Sequence, residues 1–217
     1  MSLPILYSLQ RCPYCIRARL VLLLAKQPVI LREVVISNIP PEMLAISPKG
    51  TVPVLLLNDS SVIDESIDII IWALKQNDPH NLLLQEQPNA LPGMLNLITR
   101  NDNEFIPRLE KYKAAARYHD NAEINYRQQC EPFTYHLEQR LTENDYLMGN
   151  HPSLADYAIL PFIRQFSRVD RKWYLKAPYP NLQRWLTKHY QTPLYSKAMV
   201  QHPKWQGNNG DVIFGCG

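Results

Sequence analysis

The sequence predicts an α/β unit followed by an all-α unit, and three observations carry that expectation. Short apolar runs alternate with helical stripes over the first third of the chain. The stretch QNDPHNLLLQEQPNALPG, residues 76–93, then holds three prolines and no period. Beyond it, helical spacing recurs without a convincing strand before the tail. The expected division is residues 1–77 as the α/β unit, 78–90 as linker, and 91–217 as a helical unit with an irregular tail.

The elements follow in order. LPILYS, residues 3–8, reads as a buried strand. From Pro13, Ile16, Leu20, Leu23 and Leu24 form one helical stripe running to about Lys26, and Pro28 stops it. VILREVVI, residues 29–36, alternates and is rich in branched side chains, so it reads as a second strand, and the strand-helix-strand order implies a parallel pair. A short helix with a loop covers SNIPPEMLAISPKG. VPVLLL and SVI, around Asn58, Asp59 and Ser60, give a hairpin, and Ile67, Ile70, Ile71 and Leu74 give a helix from about Glu65 to Gln76.

Past the linker, Ile98, Phe105, Leu109, Tyr112 and Ala116 mark a long helix that Pro107 should bend. A second covers about residues 120–142 with Pro132 inside it, a third starts near Leu154, and NLQRWLTKHY makes a fourth. Ser153 followed by Asp156 reads as a capping box with an acid in place of the usual Glu, a folding signal rather than a catalytic one. GNNGDVIFGCG fits no element.

Composition excludes several classes. A hydrophobic share of 46% with 20% charged residues fits a soluble globular chain. The formal charge is +3, residues 1–78 are balanced, and no basic block stands out, so nucleic acid is a poor partner. The longest apolar run, LVLLLA, is too short to span a bilayer, and MSLPILYSLQ lacks a charged leader region with a cleavage site. The expectation is a cytoplasmic protein, without nucleic acid or membrane partners. Four cysteines make no disulfide framework at this length.

The chemistry concentrates at RCPYC, residues 11–15. With a helix starting at Pro13, Cys12 is the cap residue and its sulfur faces the unpaired N–H groups of the first turn. Those donors, the helix dipole and Arg11, Arg17 and Arg19 favour a thiolate, and thiols so placed fall from about 8.5 into the range of roughly 3.5–7.5. Cys15, one turn on, reaches the same sulfur, so the pair suits thiol-disulfide exchange with Cys12 attacking and Cys15 resolving. A metal site would need further ligands, and the sequence has no second Cys-x-x-Cys or paired His, so no metal is expected. An inert buried pair is the remaining alternative. Cys130 and Cys216 read as structural or incidental.

Two further segments suit a peptide ligand. TVPV, residues 51–54, stands before a strand; a cis bond at Pro53 would free the backbone of Val52 to pair with an extended peptide, and a plain strand start is the bland reading. DES, residues 64–66, opens a helix whose N–H groups and Ser66 hydroxyl suit a carboxylate, while Glu65 suits an ammonium group; a helix cap is the alternative.

With CPYC at the first helix, T-V-P before the third strand and E-S at the last helix of the α/β unit, the chain resembles the glutathione transferase superfamily over about residues 3–190. YSLQRCPYCIRARLVL, SPKGTVPVL and DESIDIIIWAL are most similar to its cysteine-type omega class, and SLADYAILP to the superfamily's helical pattern. The resemblance implies a thioredoxin-like N-terminal domain, an all-helical C-terminal domain and a homodimer. It implies Cys12 as nucleophile, Val52 as backbone partner of the glutathione cysteinyl unit, Pro53 as the cis proline, and Glu65 with Ser66 as the γ-glutamyl clamp. Pro13 and Tyr14 join the glutathione-binding set. Two departures stand out: omega proteins typically lack a second cysteine at Cys15, CPYC being the glutaredoxin pattern, and Pro40 or Pro41 replaces the lysine near the glycine end. Tyr7 reads as a packed strand residue, because Cys12 occupies the place where a thiol is handled.

The implied activity is glutathione-dependent thiol transfer, deglutathionylation or reduction of small oxidised substrates such as dehydroascorbate, with glutathione as cosubstrate and either Cys15 or a second glutathione releasing the product. Conjugation of glutathione to hydrophobic electrophiles, and a non-catalytic interaction protein of the same fold, are the alternatives.

Overall fold

The computed structural model describes residues 2–207 and 210–216. Its chain divides into two compact units, Met1–His80 with Thr192–Gly217, and Asn81–Gln191. Among the described residues no helix is long and apolar enough to cross a membrane.

The first unit has a mixed sheet beside helices, the thioredoxin-like arrangement expected. Its elements are β1 (Ile5–Ser8), α1 (Pro13–Leu24), β2 (Val29–Glu33), α2 (Pro41–Ile46), β3 (Val54–Leu56), β4 (Val62–Ile63) and α3 (Ser66–Gln76). β1 and β2 are parallel, in register Ile5 to Ile30 and Tyr7 to Arg32, as the helix between them requires. β3 runs antiparallel to β1, and the β3–β4 hairpin turns through the residues expected, with Ser60 at φ +69°.

α1 departs from the expected stripe. Its residues from Cys15 to Leu22 are all buried, Arg17 and Arg19 included, whereas Leu23 and Leu24 are only partly so. The reason lies far along the chain, where α10 (Pro193–Ala198) packs on α1 and α3 covers another side. A helix covered this way has no solvent face, so it shows no apolar stripe.

The tail is the main correction. The stretch GNNGDVIFGCG, expected as an irregular end of the helical unit, falls instead in Thr192–Gly217, which clusters with the first unit, and its β5 (Val212–Phe214) pairs antiparallel with β2 to give the sheet order β4-β3-β1-β2-β5. Upstream, the Trp205 N–H donates to Glu33 O at 2.8 Å, so the tail meets the same strand twice. Asn208, Asn209 and Gly217 of this stretch lie outside the described residues.

The second unit is helical: α4 (Ala90–Arg100), a π-helical turn (Asn101–Phe105), α5 (Ile106–Tyr118), α6 (Glu123–Glu143), α7 (Leu154–Val169), α8 (Arg171–Tyr174) and α9 (Pro180–Tyr190). Pro107 has no N–H for the carbonyl four residues back, and the ladder widens just before it, where the Ile106 N–H reaches Asn101 O. The proline-rich stretch is less of a linker than expected, since Leu82, Leu83 and Leu84 are buried and Leu82 O accepts the Leu154 N–H at 2.9 Å. The capping box forms at α7, and buried Asp156 also accepts from Leu147 N at 3.0 Å and Trp185 Nε1 at 2.8 Å. It is a folding device, as read from the sequence.

Gly215 holds the end of β5 in place: it sits at φ +89°, and a Cβ there would lie 2.1 Å from Gln27 O. Gly215→Ala should cost about 1–3 kcal/mol through backbone strain and contact. Amide hydrogen exchange should show it as faster exchange over residues 212–214, with β1 unchanged.

Candidate active site

Every residue anticipated for the site lies in the first unit, on the turn from β1 to α1, the approach to β3, and the start of α3. Cys12 is the N-cap of α1 with extended backbone (φ −73°, ψ 123°), and Pro13 is the first helical residue, where a missing N–H costs nothing. The turn is closed by Cys12 N–H donating to Leu9 O at 3.1 Å.

The two thiols have opposite environments. Cys12 is half-buried, and its thiol is lowered to about 7, chiefly by the hydrogen bond from the Cys15 thiol, then by the backbone N–H groups of Cys15 and Tyr14 and the charge of Arg17, against the effect of its own burial. Cys15 is wholly buried; burial and the adjoining Cys12 push its thiol well above the ordinary value, and its sulfur accepts the Leu9 N–H at 3.2 Å. Both cysteines are free thiols. The helix-start donors anticipated from the sequence are in place, but the neighbouring thiol outweighs them. Cys130 is buried and pushed up to about 12, so it has no thiolate character near neutral pH.

The Val52–Pro53 peptide bond is cis, and Val52 O lies 3.9 Å from Cys12 Sγ. Ser66 is the first residue of α3 and is buried; its Oγ accepts from Arg17 Nε at 3.0 Å and Nη2 at 2.8 Å. Glu65 is the N-cap, exposed, and paired with Lys49 Nζ at 2.5 Å, with Asp64 3.4 Å from the same nitrogen. Tyr14 lies under the Arg17 guanidinium, 5.0 Å from its carbon to the ring centroid. Tyr7 is the packed strand residue expected: it is buried, and its hydroxyl accepts from Arg32 Nη1 at 2.7 Å. Among the described residues no group of three or more His, Cys, Asp or Glu side chains is placed to hold a metal.

Three features escaped the sequence reading. Lys49 was visible inside SPKGTVPVL but carried no signal of its pairing with Glu65. The sequence offers Arg17 as a charge, and nothing in its spacing signals the fork on Ser66. Trp205 of the tail packs against the apolar cluster that holds Tyr7, Val52 and Cys15, which Cys12 also borders, and Arg32 lies 4.2 Å over its ring. Beside it a groove of about 490 Å³ is lined by Asn38, Pro40, Pro41, Glu42, Trp205 and Gln206. Arg19, read as a source of positive potential, is bonded instead to Glu33 and Ser8.

Two family models match the chain: glutathione S-transferase, N-terminal domain, over residues 6–81, and glutathione S-transferase, C-terminal domain, over residues 134–188. The chain is 26% identical over 198 residues to glutathione S-transferase omega-1 of Mus musculus, covering 89% of this chain and 79% of that one. In fold it is similar to a glutathione transferase family member of Pseudomonas fluorescens with two glutathione bound (TM-score 0.79, 19% identity, 91% of this chain and 92% of that chain). A glutathione transferase of Phanerochaete chrysosporium in complex with oxidized glutathione is similar as well (TM-score 0.78, 18% identity, 91% and 94%).

The Cys15 thiol is the largest cause of the lowered Cys12 value. Cys15→Ala should therefore move the pH midpoint of Cys12 alkylation by iodoacetamide from about 7 towards the ordinary thiol value of about 8.5. Cys15→Ser, whose hydroxyl still donates, should stay near the wild-type midpoint.

Proposed function

We propose that this chain, which belongs to the glutathione transferase superfamily, is a thioltransferase that removes glutathione from mixed disulfides through Cys12. The observation that carries the reading is the Cys12 sulfur itself, a thiol lowered to about 7 beside the Val52 carbonyl. A nucleophilic thiol works best with its pKa near ambient pH, where the thiolate is populated without losing its nucleophilicity.

In the proposed cycle, the Cys12 thiolate attacks the glutathione sulfur of a mixed disulfide. A Cys12–glutathione disulfide forms, the original S–S bond breaks, and the substrate leaves as a thiolate that takes a proton from water. A second glutathione thiolate then attacks the glutathione sulfur, releasing oxidised glutathione and restoring the Cys12 thiolate. Because Cys15 is buried and held protonated, the second glutathione carries this step better than Cys15 does.

Glutathione fits the groups around the sulfur. The Val52 backbone precedes the cis proline and suits the cysteinyl unit, while Ser66 and the α3 N-terminus suit the γ-glutamyl carboxylate. The Glu65 carboxylate, though bonded to Lys49, keeps lone pairs for the ligand's ammonium group. The likeness to a glutathione S-transferase omega-1 supports glutathione as the cosubstrate, and the lowered Cys12 thiol supports thiol exchange over conjugation.

Cys12→Ser should reduce turnover of the mixed disulfide of glutathione and 2-mercaptoethanol to the uncatalysed background, with an unchanged circular dichroism spectrum; activity at the wild-type level would refute the assignment. Cys15→Ser should keep most of that activity. If it is lost instead, the route runs through a Cys12–Cys15 disulfide. Dehydroascorbate and an aryl halide assayed in parallel rank reduction against conjugation.

A further inference from the structure

Building on the proposed γ-glutamyl clamp, we infer that Arg17 is a positioning residue for the tripeptide: by giving two hydrogen bonds to the Ser66 hydroxyl oxygen, it leaves that hydroxyl able only to donate, and so fits it to a carboxylate. A serine hydroxyl has one proton and two lone pairs. Arg17 Nε at 3.0 Å and Nη2 at 2.8 Å occupy the lone pairs. The proton remains, and no hydrogen bond from the Ser66 hydroxyl to a described residue is formed.

The polarity matters because Ser66 is buried, with 3% of its surface exposed. In a poorly solvated position an oxygen presenting lone pairs would repel an arriving carboxylate, whereas an oriented O–H attracts it. Many hydroxyls rotate to suit a ligand; this one has its direction set in advance by the fork. The Tyr14 ring, 5.0 Å from the guanidinium carbon, packs along the fork. A lysine would deliver a single point charge in place of two planar donors.

The same guanidinium is among the groups that lower the Cys12 thiol, so a single buried charge favours both the docked carboxylate and the attacking thiolate. These two effects separate experimentally, since only the first passes through Ser66.

A double-mutant cycle on glutathione affinity, measured by calorimetry with melting midpoints as the folding control, tests the inference. Ser66→Ala and Arg17→Gln should each weaken binding about tenfold, and the double variant no more than either alone. Full additivity, a combined loss of about a hundredfold, would mean that Arg17 acts apart from Ser66 and overturns the inference. Wild-type protein that binds no glutathione overturns the proposed function together with this inference. Binding that Ser66→Ala leaves unchanged overturns the clamp and this inference but leaves the Cys12 chemistry standing.

Arg17→Lys keeps the charge and guards against an unfolded glutamine variant. It should hold the wild-type pH midpoint of Cys12 alkylation, which Arg17→Gln raises and Ser66→Ala does not, while still binding glutathione more weakly. Full glutathione affinity in Arg17→Lys would overturn the two-bond geometry.

Discussion

Burying α1 on every side places two guanidinium groups in the interior of the first unit, and the arrangement of the site follows from how they are satisfied. A buried charge without partners is costly by several kcal/mol. Arg19 meets Glu33 and the Ser8 hydroxyl, and the other oxygen of Glu33 takes the Gln10 N–H at 2.6 Å. One carboxylate thus ties β2 to the turn that presents Cys12, and Gln10 in turn donates through its side chain to Met199 O at 2.8 Å. Arg17 meets Ser66 and so joins α1 to the first residue of α3. The interior charges are therefore the joints between the segments that carry the thiol pair and Ser66.

Within that frame the two cysteines differ by position alone. Cys15 faces an interior that disfavours its anion, so it keeps its proton and offers it to Cys12, and the burial that makes one thiol inert helps make the other acidic. One helical turn supplies both roles, and the groups that shift the Cys12 thiol are its neighbours on that turn and Arg17, with no histidine among them.

What was legible in the sequence was local. The cap at Cys12, the proline at the first helical position, the β3–β4 turn, the start of α3 and the α7 capping box each depend on residues a few positions apart. The fork from Arg17 to Ser66 joins residues 49 positions apart, and the contact from Gln10 to Met199 spans 189. No periodicity encodes such pairings. The α1 stripe misled for the same reason: its outer face is covered by α10, whose position nothing near residue 13 records. The tail failed as a strand signal because β5 is three residues long, with glycines close by on either side, and takes its geometry from β2 rather than from its own propensity.

The return of the tail makes the helical unit an insertion within the first one, since β2 is bordered on one side by a strand that follows all the helices of residues 81–191. Chains are made from the N-terminus, so while residues 81–191 are being made β2 presents a row of unpaired backbone groups. The ribosome must deliver the whole helical insertion before that row can be closed, and until then the open edge is free to pair with a neighbouring chain.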